Sequence, residues 1–464
     1  EALTAKPIDA ASDAAFQAIG SRLGESIDGG EIATALLVHW PDRVCQSYLD
    51  LCRAATWCLA FGRFWTLERY FEEGERPYHA GSLDAISSES ANAVATRITN
   101  GETADSLETI AASFRRTVSS EADQTTRAVA SLARPELLDS AEADPQADPQ
   151  AEADSVSAST ILCKAVGVSP MESEIASGVL CFNPHGAAHR THVQIKGGSP
   201  AAGKYVYAAS DGGNGLCDVT VDVPALGFTR LSATEPIRKR SLLKRLTGGE
   251  KGIAEPSILR NQFMAVSLDE TTGGLAGVYS ASRGNRLSMR LVSLSGGSSD
   301  RDVGEMICGE MRAVQSDSVK GVIAVSGDLK SADGKRIADY ALTYSLERGS
   351  RLLRVNGLLR LVDGHSKIAT SDFWNRYIAV RTAVAGEASI MRPIVRDKVH
   401  TSSSRRLVAP LGVVVDEAEK QTLVSGLGLP LHRRVGERFL DTIVCDPKQS
   451  IPDSDGEIKF EIVY

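Results

Sequence analysis

Residues 431–438, Leu-His-Arg-Arg-Val-Gly-Glu-Arg, place one histidine and three arginines within eight positions. Guanidinium forks hold sugar hydroxyls and carboxylates, and a neighbouring imidazole adds a polar pivot. His432, Arg433 and Arg434 are therefore the candidate binding residues. The same arginines could instead pair with Glu437 and Asp441 inside the chain. Trp374 offers a ring that could stack on a sugar face or fill a core. His39 stands at the end of an apolar run before Pro41, and His79 lies in a polar stretch. His185, His189 and His192 are spaced by four and then three, which would suit a metal on a helix, but the text around them alternates as strands do. No metal ligand and no catalytic residue is assigned from these positions.

The elements that must carry such residues are mostly strands. Met264, Val266 and Leu268 alternate with Ala265, Ser267 and Asp269, the period of a half-buried strand. Residues 269–274, Asp-Glu-Thr-Thr-Gly-Gly, form a turn in which Gly273 and Gly274 can take positive φ. Leu275, Gly277 and Tyr279 then continue as a returning strand. Further strands are expected over 319–329, 338–347, 351–361, 375–385, 405–415 and 420–427, with Gly- or Asp-bearing turns between them, and this regular spacing predicts a sandwich over 251–464. Strands over 178–186, 191–196, 205–209 and 217–224 predict a small β-domain over 161–250. Its last part, 237–250, is a basic connector.

The N-terminal part reads differently. Residues 31–41 are a continuous apolar strand ended by Pro41, 44–61 an amphipathic helix, and 62–71 the close of an α/β unit. Residues 76–139 lean helical, clearest over 106–132, with Pro135 ending the run. Residues 140–160 contain a tandem Ala-Asp-Pro-Gln repeat, rich in acids and proline with no apolar anchor. A disordered linker is expected there.

At 464 residues, two to four domains are expected. The 42% hydrophobic and 24% charged content are those of a soluble globular protein. A net charge of −8 argues against a nucleic-acid partner. No apolar run reaches the roughly 18 residues of a membrane span. The eight cysteines include no CxxC pair and suggest neither a zinc site nor a disulfide framework, which favours a reducing, cytoplasmic compartment. The chain opens on Glu1 rather than Met, as expected of a fragment or a processed chain.

Several stretches carry a resemblance. Leu259, Asn261, Phe263, Val266, Asp269, Thr272, Gly273, Gly274 and Leu275 match the hairpin that opens the large β-sandwich of glycoside hydrolase family 38, the α-mannosidases. Residues 39–41 (His-Trp-Pro) and 62–71 resemble the tail of that family's catalytic barrel. Residues 179–190, 221–231, 372–383 and 425–444 resemble later β segments. The resemblance implies a mainly β multidomain chain, with a galactose-mutarotase-like sandwich after a small β-domain. It implies a barrel remnant over 1–75 and a reduced helical bundle over 76–139. It further implies the C-terminal part of an α-mannosidase-like hydrolase, acting on mannose-containing glycans with retention and using zinc in the full enzyme. A late sandwich loop containing His432, Arg433 and Arg434 would then reach the substrate. The family's zinc-binding His-x-Asp pair has no counterpart in this sequence. The alternative is a non-catalytic carbohydrate-binding or scaffolding module.

Overall fold

The computed structural model describes residues 91, 92, 94, 95, 107–133 and 162, and most of 179–235, 252–295, 303–362, 373–445 and 457–464. The chain divides into two compact units, Glu1–Ala80 and Gly81–Tyr464, and every described residue belongs to the second. The expected barrel remnant, the acidic linker and the basic connector, with His39 and His79, lie outside the described residues. A helix, α1, spans Leu107–Ala133, two residues short of Pro135. Its buried contacts fall near its start, at Leu107 and Ala111, and its later turns are mostly solvated. No described helix is long and apolar enough to cross a membrane.

The described residues are mainly β. A small region builds a three-stranded sheet from His189–Lys196, Leu216–Val223 and Val206–Gly213, with Val179–Asn183 paired to Gly227–Leu231. It has its own apolar cluster of Ile195, Cys217, Val219, Val221 and Leu231. Asn183 closes it: its amide donates to the carbonyls of Ala187 (2.8 Å) and Pro224 (3.0 Å) and its oxygen accepts from His185 N (3.0 Å).

The larger region is a sandwich. Seven strands of its first sheet matter for the site: β1 (Met264–Leu268), β2 (Leu275–Ser280), β3 (Leu287–Ser295), β4 (Arg376–Val384), β5 (Arg406–Val408), β6 (Leu431–Val435) and β7 (Phe439–Cys445). Their order across the sheet is β5-β6-β7-β4-β3-β2-β1, with two short strands beyond β1. The second sheet runs Glu305–Ser316, Lys320–Lys330, Arg336–Glu347, Leu353–Leu361, Glu457–Val463 in that order, each strand antiparallel to the next. Alternate residues of each sheet turn inward. Leu287, Met289 and Leu291 of β3 and Val380 and Thr382 of β4 share one core with Tyr344, Val355, Ile458 and Ile462. Burying one such aliphatic side chain stabilises by about 1.5–3 kcal/mol. The Thr382 hydroxyl, itself in that core, lies 3.0 Å from the Tyr464 hydroxyl, which ties the sheets together.

The hairpin β1–β2 forms where the alternation predicts it. Asn261 sets its entrance: its amide donates to the carbonyls of Glu347 (2.7 Å) and Ser350 (2.8 Å), and its oxygen accepts from the amides of Phe263 (2.9 Å) and Met264 (3.0 Å). Two details differ from the sequence reading. A register shift between Ser267 and Leu268 moves the second strand, so that Val278 is buried and Tyr279 exposed. Only Gly273 takes positive φ (73°). Gly274 is required by space instead, since a Cβ there would lie 2.4 Å from the carbonyl of Met289. The expected single strand over 405–415 is two, β5 and Gly412–Glu417, in different sheets. Pro410 cannot continue a ladder, and Gly412, at φ 130°, turns the chain between them.

Candidate functional site on the outer sheet face

On the face of the first sheet turned away from the second, a cavity of about 350 Å³ opens between the hairpin turn and strands β3, β4 and β7. Ser288 and Arg290 of β3, Arg381 and Ala383 of β4, and Phe439 of β7 line it, together with Asp269 of the hairpin turn. The registers bring these side chains together: Ser288 opposes Ala383, which opposes Phe439, and Arg290 opposes Arg381.

Asp269 is fixed by its own turn. Its Oδ1 accepts from the Thr271 hydroxyl (2.6 Å) and from the amides of Thr271 (2.8 Å) and Thr272 (3.1 Å). These bonds, the Thr271 hydroxyl first, hold its carboxyl below the usual range, so it carries a negative charge near neutral pH. Arg290 is exposed and makes no ion pair with a described residue. Arg381 is only 4% exposed, and its side chain forms a fork on Asp441, Nε to Oδ1 at 2.6 Å and Nη2 to Oδ2 at 2.7 Å. The Tyr377 hydroxyl donates to the same Oδ2 at 2.7 Å. Burial, and then the Asp441 charge, push that hydroxyl well above the usual range, so it remains a donor. Phe439 keeps its ring at the surface, with the Arg381 guanidinium 5.5 Å from the ring centre.

The residues singled out in the sequence are dispersed. His432, Arg433 and Arg434 lie in strand β6, not in a loop reaching outward. His432 is fully buried on the inner face; Nδ1 is 3.1 Å from the Thr442 hydroxyl and Nε2 3.0 Å from the Ala409 carbonyl. Its role here is structural. Arg434 is half-buried and donates to the Ser402 carbonyl at 3.0 Å. Arg433 is half-buried opposite Asp441 and donates to the Tyr377 hydroxyl at 3.3 Å, which favours the alternative that its partners are internal. Trp374 is core, edge-on to Phe373. His185 and His189 are exposed, while His192 sits 3.2 Å from Asp218. No three His, Cys, Asp or Glu among the described residues are placed to hold a metal ion. The described cysteines are free thiols, three of them buried.

Burial lowers the His432 imidazole to about 4. The unfolded ring takes up its proton near pH 6.5, so below that the unfolded state binds the extra proton first. The part of the stability linked to His432 is present above about pH 6.5 and is lost as pH falls toward about 4. Urea midpoints at pH 7.5, 6 and 4.5 should show this slope, and His432→Gln should flatten it.

No family model and no curated protein matches the chain. Among solved structures it resembles an alpha-mannosidase from Enterococcus faecalis, at 10% identity and a TM-score of 0.41, over 66% of this chain and 45% of that one. It also resembles a protein in the glycosyl hydrolase family 38 from Enterococcus faecalis, at 11% identity and a TM-score of 0.43, over 98% of this chain and 66% of that one. A galactose mutarotase-like protein from Lactobacillus casei aligns at 8% identity and a TM-score of 0.28, over 44% of this chain and 97% of that one. The chain thus spans under half of the first structure's length and about two thirds of the second's. At these TM-scores the likeness is one of form and carries nothing about chemistry.

Proposed function

We propose that the chain is the carbohydrate-contacting, C-terminal part of an α-mannosidase-like glycoside hydrolase. The outer-face cavity is where it meets sugar. One observation carries this reading: an ionised carboxylate, two guanidiniums, a hydroxyl and an exposed aromatic ring line one cavity. A sugar offers the complement. Its hydroxyls donate to Asp269 and accept from Arg290, and its C–H face lies against Phe439. The mannosidase relationship is supported by the hairpin, barrel-tail and late-strand text of the sequence.

Calorimetric titration of the 464-residue chain with methyl α-mannoside should give saturable binding. Phe439→Ala removes about 1–2 kcal/mol of apolar contact, so Kd should rise about tenfold. The same chain should release no nitrophenol from an aryl α-mannoside. Zinc-dependent release would overturn the expectation that the chain alone is inactive; absence of any sugar binding would overturn the site.

A further inference from the structure

We infer that the sugar this cavity takes carries an anionic group, a carboxylate or a phosphate, and that Arg290 is the residue selecting it. This rests on the carbohydrate reading above and narrows it. Arg290, Arg381, Asp441, Arg433 and Arg406 stand directly opposite one another across β3, β4, β7, β6 and β5. The row therefore holds four guanidiniums and one carboxylate. Like charges directly opposite on antiparallel strands are destabilising, and this positive row occurs in a chain of net charge −8.

The members of the row differ in what surrounds them. Arg381 is matched by the buried Asp441. Arg433 is held by the Tyr377 hydroxyl, and Arg406 donates to the Asn92 side-chain oxygen at 2.8 Å with its guanidinium 5.3 Å from the Trp374 ring centre. Arg290, at the cavity end of the row, is exposed and makes no ion pair with a described residue. Asp269 lines the same cavity without pairing with it. The cavity thus presents an ionised carboxylate and an exposed, unmatched guanidinium at once. A neutral sugar uses only its hydroxyls there. A sugar with one anionic substituent also satisfies Arg290 with a charge-assisted fork, while its hydroxyls keep Asp269.

The test compares four probes on the full chain: methyl α-mannoside, the methyl glycoside of mannuronic acid, mannose 6-phosphate, and inorganic phosphate alone. At least one anionic sugar should bind ten times or more tighter than the neutral one, and added salt should shrink that gap. Whichever of the two binds tighter identifies the anionic group. Arg290→Met should bring the anionic-to-neutral affinity ratio near one, and Arg290→Lys should restore part of it. Circular dichroism of each variant checks that the exposed substitution leaves the fold intact. Equal affinities for neutral and anionic sugars overturn the inference while leaving the carbohydrate reading in place. So does a preference that survives Arg290→Met, or inorganic phosphate binding as tightly as the sugar phosphate. Failure of every sugar to bind overturns the carbohydrate reading itself, and this inference with it.

Discussion

Asp441→Ala should destabilise the protein by about 3–5 kcal/mol, the range for breaking a buried ion pair by removing one partner. Asp441 is fully buried and Arg381 4% exposed. Losing the carboxylate leaves a guanidinium without its counter-charge inside the sheet and the Tyr377 hydroxyl without its acceptor. Removing both charges together, as Asp441→Leu with Arg381→Leu, should cost less than Asp441→Ala alone, because no stranded charge remains. Urea unfolding of the single variants and the double variant forms the cycle. A small loss in Asp441→Ala, within the roughly 0.5 kcal/mol of a surface position, would mean that the pair is solvated.

Gly273→Ala should be nearly as damaging, at about 2–5 kcal/mol. The left-handed conformation at φ 73° costs an L-residue about 1–2 kcal/mol. A Cβ there would also lie 2.5 Å from Val325 Cγ1 and 2.8 Å from the Tyr340 hydroxyl, and overpacking of this kind costs about 1–3 kcal/mol. Little can give way, because the Tyr340 hydroxyl donates to the Thr272 carbonyl at 2.7 Å and the Tyr344 hydroxyl to the Gly273 carbonyl at 2.8 Å. Gly334 separates the two contributions: it has φ 83° but open space where a Cβ would go. Gly334→Ala should therefore show only the conformational part. Equal losses at the two positions would show that the turn relaxes around the added methyl group. Since the same turn holds Asp269 at the cavity, Gly273→Ala should also weaken sugar binding.

The sandwich was legible because its strands are half-buried on one core. Alternation in 264–268, 338–347 and 353–361 reports which face turns inward, and turn residues mark the ends. The site was not legible, because it is made by register. Arg290, Arg381 and Asp441 lie far apart in sequence, and only the pairing of β3, β4 and β7 sets them side by side. The period of two does place Ser288 with Arg290, Arg381 with Ala383, and Phe439 with Asp441 on common faces. It cannot say which strands are neighbours. The cluster of charge at 432–434 is split for a related reason. Adjacent residues on a strand point to opposite faces, so His432 and Arg434 turn inward while Arg433 turns outward. A dense motif in sequence was divided between two environments. Asp269 was visible as a turn residue, but its place at the cavity depends on the hairpin lying against β3, where Gly274 meets the Met289 backbone.

Sugar binding at the outer-face cavity is the proposal on which the rest depends. The most direct measurement is an NMR titration of the deuterated, ¹⁵N-labelled chain with methyl α-mannoside, following backbone amide shifts. Saturable changes should gather at Asp269–Ala276, Ser288–Arg290, Arg381–Ala383 and Phe439, the walls of the cavity. Changes confined to other surfaces, or none at millimolar sugar, would mean that the cavity does not take sugar.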